Sequence, residues 1–183
     1  MGRLKPVKKT TFLEAVAAAI QHEKEVFEFY LRNAESLPES PVRQLFFQLA
    51  EDVDGHINMI RNLYEQIEGG ELPNLKILAA VHNFHTTSLQ ILMRRLDRNT
   101  AQNAAGDELE AVSLATREHE DAAEFYNKMA DKFEDPNIRN LFRRLANFQD
   151  ENRMLLESYA AYSTQGSPQS QPGAYWEAED LDA

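Results

Sequence analysis

Leu13-Glu14-Ala15-Val16 returns 96 residues later as Leu109-Glu110-Ala111-Val112. At the same offset Glu28-Phe29-Tyr30 returns as Glu124-Phe125-Tyr126, Leu45-Phe46 as Leu141-Phe142, Leu49-Ala50 as Leu145-Ala146, and Asp54 as Asp150. A constant offset without a gap is the mark of one supersecondary unit used twice. The spacing inside the unit is helical, so the expectation is two copies of a helical hairpin.

Local signals place the helices. Thr11, with Glu14 three residues on, forms a capping box, and the helix it starts (helix A) is expected to run to about Ser36, before Pro38. Ser40 followed by Pro41 opens helix B, since proline is welcome at the first helical position; it ends at Gly69-Gly70. Asp107, with Glu110 as its capping-box partner, opens helix C, expected to reach about Phe133, and Asp135-Pro136 opens helix D, expected to reach about Tyr162. The A–B and C–D links are a few residues each, so each pair is an antiparallel hairpin. The long B–C crossover carries one further helical pattern, Leu75 to Leu96, and then a polar loop at Asn99 to Gly106. Two hairpins joined by one long crossover is the connectivity of ferritin-like four-helix bundles. The fold class expected is therefore all-α, a ferritin-like bundle over residues 11–162, with a basic leader at 1–10 and an acidic tail at 163–183.

Composition limits the function classes. The chain has 183 residues, 43% hydrophobic and 27% charged, which fits one globular domain. Its formal net charge of −11 disfavours nucleic acid and anionic membrane surfaces. It contains no Cys, so it offers no disulfide, thiolate zinc site, iron–sulfur cluster or thiol nucleophile. Arg3, Lys5, Lys8 and Lys9 ahead of Phe12–Ile20 imitate a secretion signal. Glu14 interrupts that apolar stretch, and the repeat needs it inside the fold. The expectation is a cytoplasmic protein.

Core-facing positions recur at spacings of three and four: Leu13, Val16, Ile20, Glu23, Phe27, Tyr30 and Ala34 on A, and Val53, His56, Ile60 and Ile67 on B. Helix C gives Leu109, Val112, Thr116, His119, Ala123 and Tyr126, and D gives Leu145, Gln149, Asn152 and Leu156. Each seam is interrupted near its middle by a polar residue. A buried carboxylate without a partner costs several kcal/mol or takes up a proton, so Glu23 requires a hydrogen-bonding neighbour, a metal or water. Asp52, Asp54, Glu118 and Glu120 flank the seams but point about 100° away on their helices, and His22, one residue off the seam, is expected to be partly exposed.

The string Ala19-Ile20-Gln21-His22-Glu23-Lys24-Glu25-Val26-Phe27-Glu28-Phe29-Tyr30 resembles the first helix of rubrerythrin-like proteins of the ferritin superfamily, and Phe46–His56 and Leu141–Asn152 resemble that family's second and fourth helices. The resemblance implies a homodimer and a carboxylate-bridged di-iron centre with peroxidase or ferroxidase chemistry. Its ligands would be Glu on A, Glu-x-x-His on B, Glu on C and Glu-x-x-His on D. Carried across, Glu23 and His56 match. Val53, His119, Gln149 and Asn152 stand where the remaining four ligands belong. Glu23 alone offsets the charge of two ferrous ions, too little for an ordinary di-iron centre, and without Cys the chain has no rubredoxin module to deliver electrons.

Two readings remain. In one, Glu23, His56 and His119 form a mononuclear site for one iron or zinc ion, with Gln149 and Asn152 orienting a water or an imidazole behind it. In the other the chain binds no metal: Glu23 pairs with His56, His119 bonds Gln149 or Asn152, and the layer fixes helix register in a non-enzymatic scaffold or partner-binding module. His82 and His85 on the crossover helix fit a surface metal or, better, packing against the bundle or a dimer contact. Tyr30 and Tyr126 read as repeated core aromatics. Trp176, within Tyr-Trp-Glu-Ala-Glu-Asp-Leu, suits docking to this bundle or to a protein partner.

Overall fold

The structure is a computed structural model that describes residue 6 and residues 9–84, 88–102 and 107–164. Among these residues the secondary structure is six α-helices without a β-strand: α1 (Phe12–Ser36), α2 (Pro41–Glu68), α3 (Leu75–Phe84), α4 (Ser88–Gln102), α5 (Glu108–Lys132) and α6 (Pro136–Thr164). The chain is all-α with a ferritin-like helical bundle built from α1, α2, α5 and α6.

The caps act where the sequence places them. Thr11 and Glu14 form the reciprocal box at α1. Ser40 accepts from the Arg43 amide ahead of Pro41, and Asp107 accepts from the Glu110 amide at 2.8 Å. Gly69 closes α2 at φ 73°, a left-handed conformation that glycine adopts without steric penalty.

The crossover departs from expectation. It contains two helices instead of one, α3 and α4, and α4 continues through Asn99 to Gln102, where a polar loop was expected. Both pack on α1. That explains why Ala15, Val16, Ala17, Ala18, Ala19 and Ile20 are all buried: this half of α1 is covered on every side, and a helix apolar all round is an interior helix. The four alanines let neighbouring helices approach closely.

Packing is tightest within the α1/α2 and α5/α6 hairpins. Two apolar clusters fill the bundle. One joins the start of α1, the end of α2, the end of α5 and the start of α6, with Leu78, Leu89 and Met93 from the crossover. The other joins the end of α1, the start of α2, the start of α5 and Leu156 of α6. So α1 runs antiparallel to α5 and parallel to α6, as a crossover spanning the bundle length requires. Between the clusters lies a slab with little apolar side-chain volume, which contains every buried polar side chain named by the seam analysis.

Candidate functional site

The slab is built by position. On α1, His22 and Glu23 fall between Ile20 of one cluster and Val26 of the other; on α2, His56 falls between Val53 and Ile60; on α5, His119 between Ala115 and Ala122; on α6, Gln149 between Ala146 and Leu156. Helical periodicity turns each inward at the same height. Glu23 is 0% exposed, Gln149 2% and His119 3%.

The side chains form two bonded groups. His56 Nδ1 lies 2.9 Å from Glu23 Oε2, linking α1 to α2, and the imidazole stacks on Phe148 of α6 with centroids 4.2 Å apart. The second group links α5, α6 and α1. His119 Nδ1 is 2.5 Å from Gln149 Oε1, and its Nε2 is bonded to the Tyr30 hydroxyl. An amide oxygen only accepts, so Nδ1 carries the proton, and the phenol donates into the remaining lone pair on Nε2. Charge agrees with this arrangement. Burial, foremost, lowers His119 to about 4, with His56 and His22 pushing the same way and the Gln149 bond and Glu23 opposing. Burial, then Glu23 and Asp52, raise Tyr30 well above the usual phenol range. At neutral pH both groups are uncharged.

Glu23 Oε1 and Gln149 Nε2 are buried in the layer without a hydrogen-bond partner among the described residues. Gln149 lines a cavity of about 10 Å³ with His22, Tyr30, Glu118 and His119. That is room for about one water molecule. His22 is 1% exposed, with its ring edge-on to Tyr126 at 5.6 Å, which corrects the expectation of partial exposure. Glu118, half-buried, also lines the cavity beside His119. Phe27, 36% exposed, and Leu109, 62% exposed, leave the core list.

The residues bear on metal in a definite way. Among the described residues no three His, Asp or Glu side chains converge closely enough to hold an ion. Glu23, His56 and His119 share one layer but sit in separate hydrogen-bonded groups. Val53, 1% exposed, fills the helix B bridging position with hydrocarbon. Asn152 is half-buried and belongs to neither bonded group of the layer. One buried acid cannot balance a metal pair, and this donor set does not fit a di-iron centre. The side chain of His82, together with His85, Trp176 and the leader residues Arg3, Lys5 and Lys8, lies outside the described residues.

The family model described as rubrerythrin matches residues 14–153. The chain belongs to the rubrerythrin family. That family is one of metal-binding, ferritin-like domains. Two solved structures share the fold. A hypothetical protein, Pfu-1136390-001 from Pyrococcus furiosus, superposes with a TM-score of 0.52 at 21% identity, over 89% of this chain and 98% of that one. A dodecameric thioferritin, the bacterioferritin-related protein from Bacteroides fragilis, superposes with a TM-score of 0.55 at 16% identity, over 90% of each chain. No curated protein is similar enough to this chain to count as a relative.

Tyr30, His22 and Phe148 join the layer beside the polar residues of the seams. Tyr30 was legible as a buried aromatic but not as a hydrogen-bond donor, because its target sits on a helix 89 residues away in sequence.

Proposed function

We propose that this rubrerythrin-family domain has lost the di-iron oxidoreductase chemistry of its fold, and that its mid-bundle layer is a hydrogen-bonded register element in a metal-free, non-enzymatic helical scaffold or partner-binding module. The observation that carries this reading is the Tyr30–His119–Gln149 chain. His119 occupies the helix C ligand position, and both of its ring nitrogens are already committed. Glu23 Oε2 and His56 Nδ1 bond one another across the other hairpin. A polar layer of this kind makes sliding of one helix past another costly, since each bond is lost on displacement.

One observation favours a second reading, a single iron or zinc ion held by Glu23, His56 and His119. Glu23 Oε1 is buried and unpartnered, and a bare carboxylate oxygen in a dry core attracts a cation, a proton or a water. Elemental analysis of protein purified without chelators separates the two. The scaffold reading expects metal far below one per chain and an unfolding midpoint unchanged by EDTA. Near-stoichiometric metal that disappears in His119→Ala establishes the mononuclear site instead. Two irons per chain with an oxo-bridge absorption band would overturn both.

Homo-oligomerisation, as a dimer, is part of the proposal, and the fold neighbour described as dodecameric supports self-association in general. Light scattering on the full chain tests it. No described helix is long and apolar enough to cross a membrane, and we place the protein in the cytoplasm, with the Trp176 segment as its contact for a protein partner.

A further inference from the structure

We infer that Tyr30 is the residue that keeps metal off this layer, by capping the one lone pair His119 has to offer. This deepens the scaffold reading and rests on it.

An imidazole ligates a metal through an unprotonated ring nitrogen. In His119 the Nδ1 proton is held against Gln149 Oε1 at 2.5 Å, which leaves Nε2 as the only nitrogen with a free pair. The Tyr30 hydroxyl donates into that pair. Tyr30 cannot easily turn aside. It is 0% exposed, and its ring is wedged edge-on against Phe46 at 5.6 Å and Phe29 at 5.5 Å. A cation approaching Nε2 must therefore break the O–H···N bond of a fully buried phenol, and losing a buried hydroxyl's partner is costly. The rest of the layer is less guarded. Glu23 is anchored through Oε2 by His56, while Oε1 has no partner, and Glu23 and His56 both act on His119 through space. An oriented carboxylate with a free oxygen and a neutral imidazole share one layer, and the hydroxyl of Tyr30 closes off the imidazole. Tyr30 is thus a positioning residue that fixes the tautomer and occupancy of His119.

Co(II) titration of the full-length protein, read by visible d–d absorption and by calorimetry, tests this. Tyr30→Phe keeps the ring and removes the hydroxyl. It is expected to bind Co(II) at least ten-fold more tightly than the wild type, with the gain abolished in Tyr30→Phe/His119→Ala. Equal affinity in wild type and Y30F, or a gain that survives H119A, overturns the inference. Should Y30F fail to fold, the ring ¹⁵N shifts of His119 in the wild type decide: a neutral ring protonated on Nδ1 at pH 7 is required, and a proton on Nε2 refutes the cap. Unchanged Co(II) affinity in Y30F defeats the role of Tyr30 alone. Metal in the purified wild type that persists in H119A defeats the scaffold reading and leaves the Y30F comparison standing.

Discussion

The two hairpins are cut from one pattern and solve the same problem differently. In α1/α2 the mid-layer bond joins an acid to an imidazole, Glu23 to His56. In α5/α6 it joins an imidazole to an amide, His119 to Gln149. The bonding residues of the two second helices are also one turn out of register. At an offset of 96 residues His56 corresponds to Asn152, and Gln149 corresponds to Val53. A di-iron site needs both turn positions on both of those helices. Of the two turn positions on α2 only His56 is polar, Val53 being buried hydrocarbon; on α6 both are amides, and Gln149 belongs to the bonded layer while Asn152 is half-buried outside it. On the proposed reading, one bond inside each hairpin and the Tyr30–His119 bond between them stand where a four-helix metal centre would sit.

The sharpest way to break this comparison is to remove one partner from each pair. His56→Ala strands Glu23 with neither oxygen bonded in a site that is 0% exposed. Leaving a buried carboxylate uncompensated costs about 3–5 kcal/mol. Gln149→Leu strands only a neutral N–H of His119, which costs about 1–3 kcal/mol. Denaturant unfolding of the two variants should rank them in that order. Equal losses would mean that Glu23 recruits a water or a proton at little cost, and that the hairpins differ less than their chemistry suggests.

Acid should expose the same asymmetry from the other side. His119 is lowered from 6.5 to about 4, chiefly by burial, so the folded state disfavours its proton. Between those two values the unfolded chain binds more protons than the folded one, and stability must fall as pH drops through that window. At 1.36 kcal/mol per pH unit the loss from this group approaches about 3 kcal/mol below pH 4. Stability measured from pH 7 to 4 should flatten in His119→Gln, which cannot titrate. A slope that persists in this variant assigns the acid sensitivity to other groups.

Local chemistry made most of the bundle legible. Thr11-x-x-Glu14, Ser40-Pro41, Gly69 and Asp107 act on their own neighbours, so the helix ends could be read from a few residues. The equivalence of the two hairpins misled in one place. Leu13 and Leu109 are counterparts, yet Leu13 packs against the core and Leu109 is 62% exposed. The crossover helices pack mainly on α1, so one copy of the repeat gains a roof that the other lacks, and periodicity within a helix carries no information about which copy is covered. The site was legible as a list of inward polar residues. Two pairs were legible as well, Glu23 with His56 and His119 with Gln149 or Asn152; the choice of Gln149 and the bond from Tyr30 were not, because they depend on which side chains meet across the bundle.

The smallest contrast lies at the two first-helix caps, and salt should separate what mutation alone leaves alike. Thr11 accepts from the Glu14 amide at 3.2 Å while Glu14, 5% exposed, reaches back to the Thr11 amide at 2.7 Å. Asp107 does the first half of the same job for Glu110 from an exposed position. Replacing either by Ala should cost about 1 kcal/mol, the usual worth of an N-cap. The origins differ. A hydroxyl cap contributes a hydrogen bond alone, whereas a carboxylate cap adds attraction to the positive end of the helix dipole, which salt screens over roughly 3 Å at 1 M. The penalty of Asp107→Ala should therefore shrink between low and molar salt, while that of Thr11→Ala holds steady. If both penalties fall together, the α1 cap draws on the charge of Glu14 as much as on the Thr11 hydroxyl, and the buried carboxylate at the head of the first hairpin contributes electrostatically as Asp107 does in the second.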